Sequence, residues 1–266
     1  MSITTFHNIR YADIGDRTQH DAVVLLHGFA EQLELWQDYT QKIGKYYRVI
    51  VPDLRGHTPG SHIKDSSWSI NDMAWDIKTL LDHCTIHRAV LIGHSMGGYV
   101  ALKMAKLFPD RIKGLSLFHS HPFADTDAVK HNRTATITRL MAQEKADVIN
   151  GLIERILPEE FRTQQSSATE SLRVMMMKPS AEGLIGATIA MRDRTDTTNV
   201  LVQAQYPVQF IIGGQDSIVP RDQLLALVPT IRSASVEYLH TVGHQGMIES
   251  PAVCLKILQA FITRCW

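Results

Sequence analysis

Ser95 is the residue with the strongest signal for chemistry in this sequence. It lies in the run GHSMGG at residues 93–98, directly after the apolar run AVLI at 89–92 and before an amphipathic stretch that begins at Tyr99. A G-x-S-x-G run between a strand and a helix produces a sharp turn that projects the serine hydroxyl outward. The free N–H groups at the start of the helix also favour negative charge that develops there. The run therefore predicts a nucleophilic serine.

A serine hydroxyl is a poor nucleophile unless a base accepts its proton. His244, in the run GHQG, follows the last predicted strand, and Asp216, in the run GGQD, follows the strand before it. The chain order Ser95, Asp216, His244 matches a nucleophile, an orienting acid and a base that meet at one edge of a sheet. Asp125 and Asp127, which follow an earlier strand, are the alternative acids.

A tetrahedral intermediate on the serine needs two N–H donors for its oxyanion. The backbone N–H of Met96, the residue after the predicted nucleophile, is the first predicted donor. The second is the N–H of Phe29, in the run HGF at 27–29, where Gly28 permits a tight turn after an early apolar run. Because a backbone donor depends little on its side chain, Phe29 is assigned by position alone.

Short apolar runs alternate with amphipathic stretches, and these are the elements that must position the three residues. The apolar runs occupy 22–27, 47–52, 89–93, 114–119, 208–213 and 236–240. Helix-spaced apolar residues occupy 31–46, 69–84, 97–108, 220–229 and 251–263, and residues 9–16 indicate an added antiparallel strand. Nearly continuous runs rich in Val and Ile are typical of parallel strands covered on both faces. The alternation therefore predicts an α/β fold with a mostly parallel sheet.

One long segment interrupts this alternation, because residues 121–199 contain no convincing strand. Within it, 126–156 and 180–192 have helical periodicity, with breaks at Pro158 and Pro179. We expect this insertion of 79 residues to form a helical cap over the carboxyl edge of the sheet, where open α/β sheets bind ligands. The predicted organisation is one domain, with a core at 1–120 and 200–266 and a cap at 121–199.

The composition excludes several classes of protein. The 266 residues carry 27 Lys and Arg against 27 Asp and Glu, so no net basic charge indicates nucleic acid or an anionic membrane as a partner. No run of about 18 uncharged apolar residues predicts a membrane span, and the first residues lack a secretion signal. The 3 cysteines form neither a disulfide framework nor a zinc-site spacing. We expect a cytoplasmic protein, either a monomer or a homodimer.

Five short runs together resemble the α/β-hydrolase superfamily. They are HGF at 27–29, PDLRGH at 52–57, GHSMGG at 93–98, GGQD at 213–216 and GH at 243–244. The sequence is similar to the small, capped bacterial members, and the resemblance lies on both sides of the insertion and not within it. It implies a mostly parallel central sheet with helices on both faces and a helical cap inserted after the sixth core strand. It also implies serine hydrolase chemistry, usually on a small carboxylic ester, with no cofactor.

The predicted reaction is hydrolysis of small to medium carboxylic esters or thioesters, so the predicted partner is a small-molecule acyl substrate. Three alternatives stay open. The first is a hydrolase of carbon–carbon bonds, whose relatives typically carry Asn before the nucleophile and Trp after the histidine, where this sequence has His94 and Gln245. The second is a non-hydrolytic member, such as a lyase or a cofactor-free peroxidase-like enzyme. The third is a ligand-binding or receptor protein that retains the fold without turnover.

Several residues near the predicted nucleophile are assigned to the substrate pocket by position. They are His27, Gly28, Trp36, His94, His119 and His121. His119 and His121 lie two residues apart at a strand end, but two imidazoles without a nearby carboxylate are too few for a metal, so no metal site is predicted. In the insertion, Arg192 and Arg194 flank Asp193, and their predicted role is either to bind an acidic substrate group or to form a solvated charged face.

Overall fold

The computed structural model describes residues 2–60 and 66–266, and within them eight strands form one sheet. The strands are β1 (Ile3–Phe6), β2 (Ile9–Ile14), β3 (Asp21–Leu26), β4 (Val49–Pro52), β5 (Arg88–His94), β6 (Ile112–Phe118), β7 (Val208–Gly213) and β8 (Ala234–Leu239). Their order in the sheet is β1-β2-β4-β3-β5-β6-β7-β8. Strand β2 pairs antiparallel with both β1 and β4, whereas all pairs from β4 to β8 are parallel. The carboxyl ends of the parallel strands therefore meet at one edge.

Apolar side chains on both faces of the sheet explain why these runs form parallel strands. In β3, Val24 and Leu26 contribute to one core cluster, and Val23 and Leu25 contribute to another. All four side chains are fully buried. The register pairs Leu26 of β3 with Gly93 of β5, so the ends of these two strands lie side by side.

Helices cover both faces of the sheet. In the described residues they are α1 (Gln37–Ile43), α2 (Ile70–His83), α3 (Met96–Leu107), α4 (Asp127–Met141), α5 (Lys145–Ile156), α6 (Glu159–Gln164), α7 (Ser166–Met176), α8 (Ala181–Arg192), α9 (Thr198–Val202), α10 (Arg221–Leu227), α11 (Gly246–Glu249) and α12 (Pro251–Cys265). Helices α2 and α3 pack on the face that carries Val24, and α1 and α12 pack on the face that carries Val23. The predicted α/β fold with a mostly parallel sheet is confirmed. Among the residues described, no helix has the length and apolarity that crossing a bilayer requires.

Helices α4 to α9 separate β6 from β7 and form the helical insertion, residues 127–202. Apolar side chains such as Leu140, Ile153 and Leu172 form a cluster that holds α4, α5 and α7 together. Helix α8 joins this insertion to the core, because Leu184 belongs to the insertion's cluster whereas Met191 belongs to the cluster under α2 and α3. The insertion is thus fixed to the sheet through a shared apolar interface.

The structure differs from the sequence prediction mainly in short elements. The pattern does not predict β1, because three of its four residues are exposed. The predicted helix over 126–156 is two helices, α4 and α5, because Gln143 between them has a φ of 64°, a left-handed conformation that ends a helix. Pro158 and Pro179 do separate helices, but α6 and α7 between them are not predicted. The predicted helix at 31–46 begins as a 3₁₀ turn.

Candidate active site

Ser95 lies at a strained turn between the end of β5 and the start of α3. Its backbone has a φ of 48° and a ψ of −114°, a conformation that residues with a side chain rarely adopt and that costs about 1–3 kcal/mol. Two hydrogen bonds hold the turn: the Ser95 N–H donates to the Phe118 carbonyl at 3.0 Å, and the Ser95 carbonyl accepts from Ser120 Oγ at 2.7 Å. The side chain stays partly exposed and lines a cavity.

Gly93 and Gly97 are required by the close approach of backbone segments around Ser95. A Cβ at Gly93 would lie 2.5 Å from the Gly97 carbonyl. A Cβ at Gly97 would lie 2.5 Å from the Leu26 carbonyl oxygen, at the end of β3. Because these neighbours are backbone atoms of packed elements, they cannot move aside at low cost. The G-x-S-x-G run therefore follows from how β5, α3 and β3 pack.

Asp216 and His244 form a buried pair at the carboxyl edge of the sheet. Asp216 Oδ2 accepts a hydrogen bond from His244 Nδ1 at 2.8 Å. Asp216 Oδ1 accepts the N–H groups of Ile218 at 2.7 Å and Val219 at 3.2 Å, which fix the carboxylate. Because the carboxylate only accepts, the neutral His244 ring carries its proton on Nδ1. Its Nε2 is therefore the basic nitrogen.

The surroundings of Asp216 keep it ionised. Burial by itself raises the pKa of this carboxyl, but attraction to His244 and contact with both His244 and His119 outweigh burial and hold the pKa well below its ordinary value. His119 Nδ1 lies 3.5 Å from Asp216 Oδ2. A fixed negative charge beside Nδ1 stabilises the imidazolium that forms when Nε2 takes a proton.

Ser95 and His244 line the same cavity of about 480 Å³. This volume is in the range of pockets that hold small molecules. In the described residues, neither Ser95 Oγ nor His244 Nε2 has a hydrogen-bond partner, so no protein group competes for either atom. Nucleophile–base contacts in unliganded enzymes are often long and shorten when substrate binds.

The two predicted oxyanion donors both have free N–H groups in the described part of the chain. Phe29 lines the cavity, and its N–H has no hydrogen-bond partner there. Met96 begins α3, so its N–H has no partner one turn earlier in the helix. The loop after β3 and the start of α3 thus each present an unpaired N–H donor among the described residues.

The structure distinguishes Asp216 from the alternative acids. Asp125 is buried and forms ion pairs with Arg133 and Arg194. Asp127 is an exposed residue in the first turn of α4. In the residues described, His244 is paired with Asp216 and with neither of these two.

Trp36 and His27, which the sequence assigns to the substrate pocket, are not among the residues that line the cavity. Trp36 is fully buried and packs against Tyr39 and Phe118. It belongs to the apolar core on the face of the sheet that α1 and α12 cover. His27 is also fully buried. Its Nε2 accepts the Leu54 N–H at 2.9 Å, and its Nδ1 donates to the carbonyl of the next residue at 2.8 Å. Burial lowers the pKa of His27 to about 4, so the ring is neutral and links two loops through its hydrogen bonds.

His119 and His121 occupy different environments. His119 is fully buried between Asp216 and Gly246. The Gly246 N–H donates to its Nε2 at 3.3 Å, and His119 is not among the residues that line the cavity. His121 does line the cavity, and its Nε2 lies 3.2 Å from the Tyr99 hydroxyl. Burial lowers the pKa of His119 to about 4 and that of His121 to about 3. In the segments described, no group of three or more potential ligand residues is placed to hold a metal.

A buried ion pair between Glu31 and His94 connects three loops of the site, and the sequence does not predict it. Glu31 Oε2 accepts from His94 Nδ1 at 2.9 Å and from the Gly28 N–H at 2.6 Å. Glu31 Oε1 accepts from Gln245 Nε2 at 2.7 Å. His94 Nε2 lies 2.9 Å from the His244 carbonyl. Because both partners of His94 only accept, both of its ring nitrogens carry a proton, and the ring is an imidazolium.

The pKa values of this pair shift in the directions that the geometry requires. Burial alone disfavours charge on both groups, but the charge of Glu31 and its hydrogen bond raise the pKa of His94 above its ordinary value. The reciprocal attraction lowers the pKa of Glu31 to about 2 despite its burial. Gly28 must lack a side chain here, because a Cβ would lie 2.7 Å from His94 Nδ1. Gly28 does not line the cavity, and its lack of a side chain leaves room for the contact between Glu31 and His94.

Glu249 fixes the loop that carries His244. Its two carboxylate oxygens accept the N–H groups of Gly243 at 2.7 Å and Gln245 at 2.8 Å, one on each side of the histidine. The His244 N–H itself donates to the Ile156 carbonyl of the helical insertion at 3.0 Å. The backbone of the candidate base is thus held from both the core and the insertion.

Comparison with known proteins identifies the family. The family model for the alpha/beta hydrolase fold matches residues 21–251. The chain is 25% identical to the dihydrolipoyllysine-residue acetyltransferase component of the acetoin cleaving system of Pseudomonas putida, and the match covers 91% of this chain but only 63% of that protein. This chain therefore spans less than two thirds of that relative's length.

Two further similarities extend over nearly whole chains. The sequence is 26% identical to the pimeloyl-[acyl-carrier protein] methyl ester esterase of Klebsiella pneumoniae, over 97% of this chain and 99% of that one. The fold matches an esterase of Thermogutta terrifontis with a TM-score of 0.88 and 28% identity, over 99% of this chain and 97% of that one. These relatives are named esterases, so the prediction of an enzyme is confirmed. The protein belongs to the α/β-hydrolase fold family.

Proposed function

We propose that this protein is a serine hydrolase that cleaves small to medium carboxylic esters or thioesters, with Ser95, His244 and Asp216 as its catalytic triad. One observation carries the proposal. The hydrogen bond from His244 Nδ1 to Asp216 leaves Nε2 as the basic nitrogen, in the same cavity as a serine hydroxyl that has no other partner in the described chain.

The reaction proceeds in two halves. Ser95 Oγ attacks the acyl carbon while His244 Nε2 takes its proton, and the imidazolium then donates that proton to the departing alcohol or thiol. Water enters, His244 takes a proton from it, and the hydroxide attacks the acyl-enzyme. Ser95 leaves as the hydroxyl, with its proton returned from His244. No step requires a cofactor.

Backbone N–H groups stabilise both tetrahedral intermediates. We assign the donors to Phe29 and Met96, whose N–H groups are unpaired in the described residues. Such donors are most effective when they are fixed before the charge develops, and removing one lowers kcat by about 10²–10³-fold. The Glu31–Gly28 hydrogen bond supplies this rigidity, because it holds the loop one residue before Phe29.

The helical insertion serves as the cap that defines the acyl site. Residues of α4, α5 and α8, together with Phe123 and Tyr99, line the cavity opposite the sheet edge. The small-molecule partner is therefore an acyl substrate whose size the cap limits. The names of the esterase relatives support an ester substrate, and the volume of about 480 Å³ supports a small or medium one.

The test combines covalent labelling with turnover. Wild type should react with a fluorophosphonate probe and hydrolyse p-nitrophenyl acetate, butyrate or octanoate, and Ser95→Ala should lose both activities while it stays folded. Ser166→Ala is the matched control, because Ser166 is an exposed residue of α7. Labelling without ester turnover would favour a carbon–carbon bond hydrolase. No labelling of folded wild type would contradict the triad and favour a ligand-binding protein.

A further inference from the structure

The active-site cavity extends from Ser95 into the helical insertion, where arginines form part of its wall. One face of α4 lines the cavity through Val129, Arg133 and Thr136, which are four and three residues apart as one side of a helix requires. Arg139 of the same helix and Arg155 of α5 line it as well. The cavity is therefore not uniformly apolar.

Arg133 belongs to a buried cluster with more positive than negative charge. Its Nε donates to Asp125 Oδ2, and Arg194 Nη1 lies 2.5 Å from Asp125 Oδ1. Asp125 and Arg194 are buried, with side-chain exposures of 3% and 4%. Two guanidinium groups thus share one carboxylate. Nε and Nη2 of Arg194 are buried without a hydrogen-bond partner in the described chain.

The other charges of the cavity wall do not cancel this excess. Arg139 is paired with Glu144 at 2.8 Å, and Glu31 is balanced by His94. Arg155 is exposed and has no ion pair among the described residues. Asp216 is only 1% exposed and already accepts a hydrogen bond from His244, so it does not offset the charge of the arginines. The wall on the side of the insertion therefore carries unbalanced positive charge.

Arg133 also has a free edge with which to bind an anion. Its Nε is occupied by Asp125, whereas its Nη1 contacts only the Met191 sulfur at 3.5 Å and its Nη2 has no partner in the described part of the protein. A guanidinium edge of this kind binds a carboxylate through two parallel hydrogen bonds. Nearby, the Tyr99 ring is covered by Arg194 at 3.9 Å, and its hydroxyl faces His121.

We propose that the substrate carries an anionic group, such as a carboxylate, remote from the bond that is cleaved, and that Arg133 binds this group. The inference rests on the proposed esterase function and narrows its substrate class. Arg155, exposed at the cavity wall, attracts the same charge before binding. The anionic group belongs either to the acyl part or to the leaving group, and matched substrates separate these two sources.

Two substrate pairs differ only in this charge. The first is the mono-p-nitrophenyl ester of adipic acid and its ω-amide, which place the charge or its neutral isostere on the acyl part. The second is 4-carboxyphenyl hexanoate and 4-carbamoylphenyl hexanoate, which place it on the leaving group. We expect kcat/KM to be higher for the acid by about tenfold or more in one of the pairs. This preference should shrink as NaCl is raised from about 20 mM to about 500 mM.

Arg133→Met should reduce the preference for the acid to near one, measured within each pair as the ratio of kcat/KM for the acid to kcat/KM for the amide. Arg155→Met, at an exposed position, should lower the preference at low salt. It replaces Arg133→Met as the test if that variant does not fold. Arg192→Met is the matched control, because Arg192 pairs with Asp193 outside the cavity. We expect it to leave the preference unchanged.

The outcomes separate this inference from the function on which it rests. The esterase function alone is tested by the esters that carry the neutral amide group. Wild type should cleave their ester bond, and Ser95→Ala should not. A preference for the acid in either pair that depends on Arg133 supports the inference and identifies which part of the substrate is charged. Equal kcat/KM for acid and amide in both pairs, or a preference that survives both arginine variants, would overturn it.

Discussion

Replacing Glu31 by Gln removes one charge from the buried network and keeps its shape. His94 is 1% exposed, so its imidazolium would then lie buried without its carboxylate. The ring can lose its proton, but a hydrogen bond is lost in either orientation of the new amide. If the amide NH2 group faces His94 Nδ1, it also faces the Gly28 N–H donor. If the amide oxygen faces Nδ1, the neutral ring has no proton for the His244 carbonyl. Removing one partner of a buried pair costs about 3–5 kcal/mol. We expect Glu31→Gln to lower the free energy of unfolding by roughly 3 kcal/mol.

The same substitution should lower kcat more than it changes KM. Glu31 holds the Gly28 N–H beside the predicted oxyanion donor Phe29, and through His94 it holds the backbone of His244. In the proposed mechanism these groups act in the transition state, so their positions affect kcat. We expect kcat to fall by about tenfold to a hundredfold, less than the 10²–10³-fold that follows outright loss of an oxyanion donor.

The assay is urea unfolding together with steady-state hydrolysis of p-nitrophenyl butyrate. Glu34→Gln is the matched control, because Glu34 lies on the same segment and pairs with Arg10 at 2.8 Å but is 26% exposed. Its loss should cost about 1 kcal/mol or less and leave kcat unchanged. If the free energy of unfolding of Glu31→Gln is within about 0.5 kcal/mol of the wild-type value and kcat is unchanged, the ion pair does not hold these loops.

Three further predictions follow from the same geometry. Asp216→Asn should lower kcat by about 10⁴-fold with little change in KM, because the amide favours the wrong tautomer of the base; an unchanged kcat would exclude Asp216 as the orienting acid. Gly97→Ala should lower the free energy of unfolding by about 1–3 kcal/mol and abolish turnover, since its Cβ would lie 2.5 Å from the Leu26 carbonyl; full activity in this variant would contradict the packing. The stability difference between wild type and Glu31→Gln should be largest between about pH 4.5 and 6.5. It should shrink as the pH falls toward 2, where Glu31 is protonated, and as the pH rises through the raised pKa of His94; a difference that is flat with pH would contradict the ion pair.

The residues of the candidate triad could be predicted because each follows directly on a strand. Apolar runs mark β5, β7 and β8, and the carboxyl ends of parallel strands meet at one edge, so Ser95, Asp216 and His244 are placed by topology alone. The glycine spacing around Ser95 adds a local signal, since it follows from backbone contacts within a few residues.

The Glu31–His94 pair could not be predicted, because no motif marks Glu31 and its partner lies 63 residues away in the sequence. A glutamate three residues after Gly28 is the only trace of it, and a loop glutamate is usually solvated. The sequence also does not show that Trp36 packs on the face of the sheet covered by α1 and α12, since a tryptophan suits an apolar core and a substrate pocket equally well.

The helical insertion shows the same limit. Its helical content follows from periodicity, but the faces that its helices turn to the cavity depend on packing between distant residues. The sequence gives Arg192 and Arg194 the same two candidate roles, whereas the structure separates them. Arg192 pairs with its exposed neighbour Asp193, and Arg194 is buried on Asp125.

Mapping a covalent adduct tests the central claim most directly. Wild-type protein would be treated with the fluorophosphonate probe, digested with trypsin and analysed by mass spectrometry, with His244→Ala treated in parallel. The account predicts one adduct, on Ser95 in the peptide 89–103, and a much slower reaction in His244→Ala. Folded wild type that carries no adduct, or carries it on another residue, would contradict Ser95 as the nucleophile.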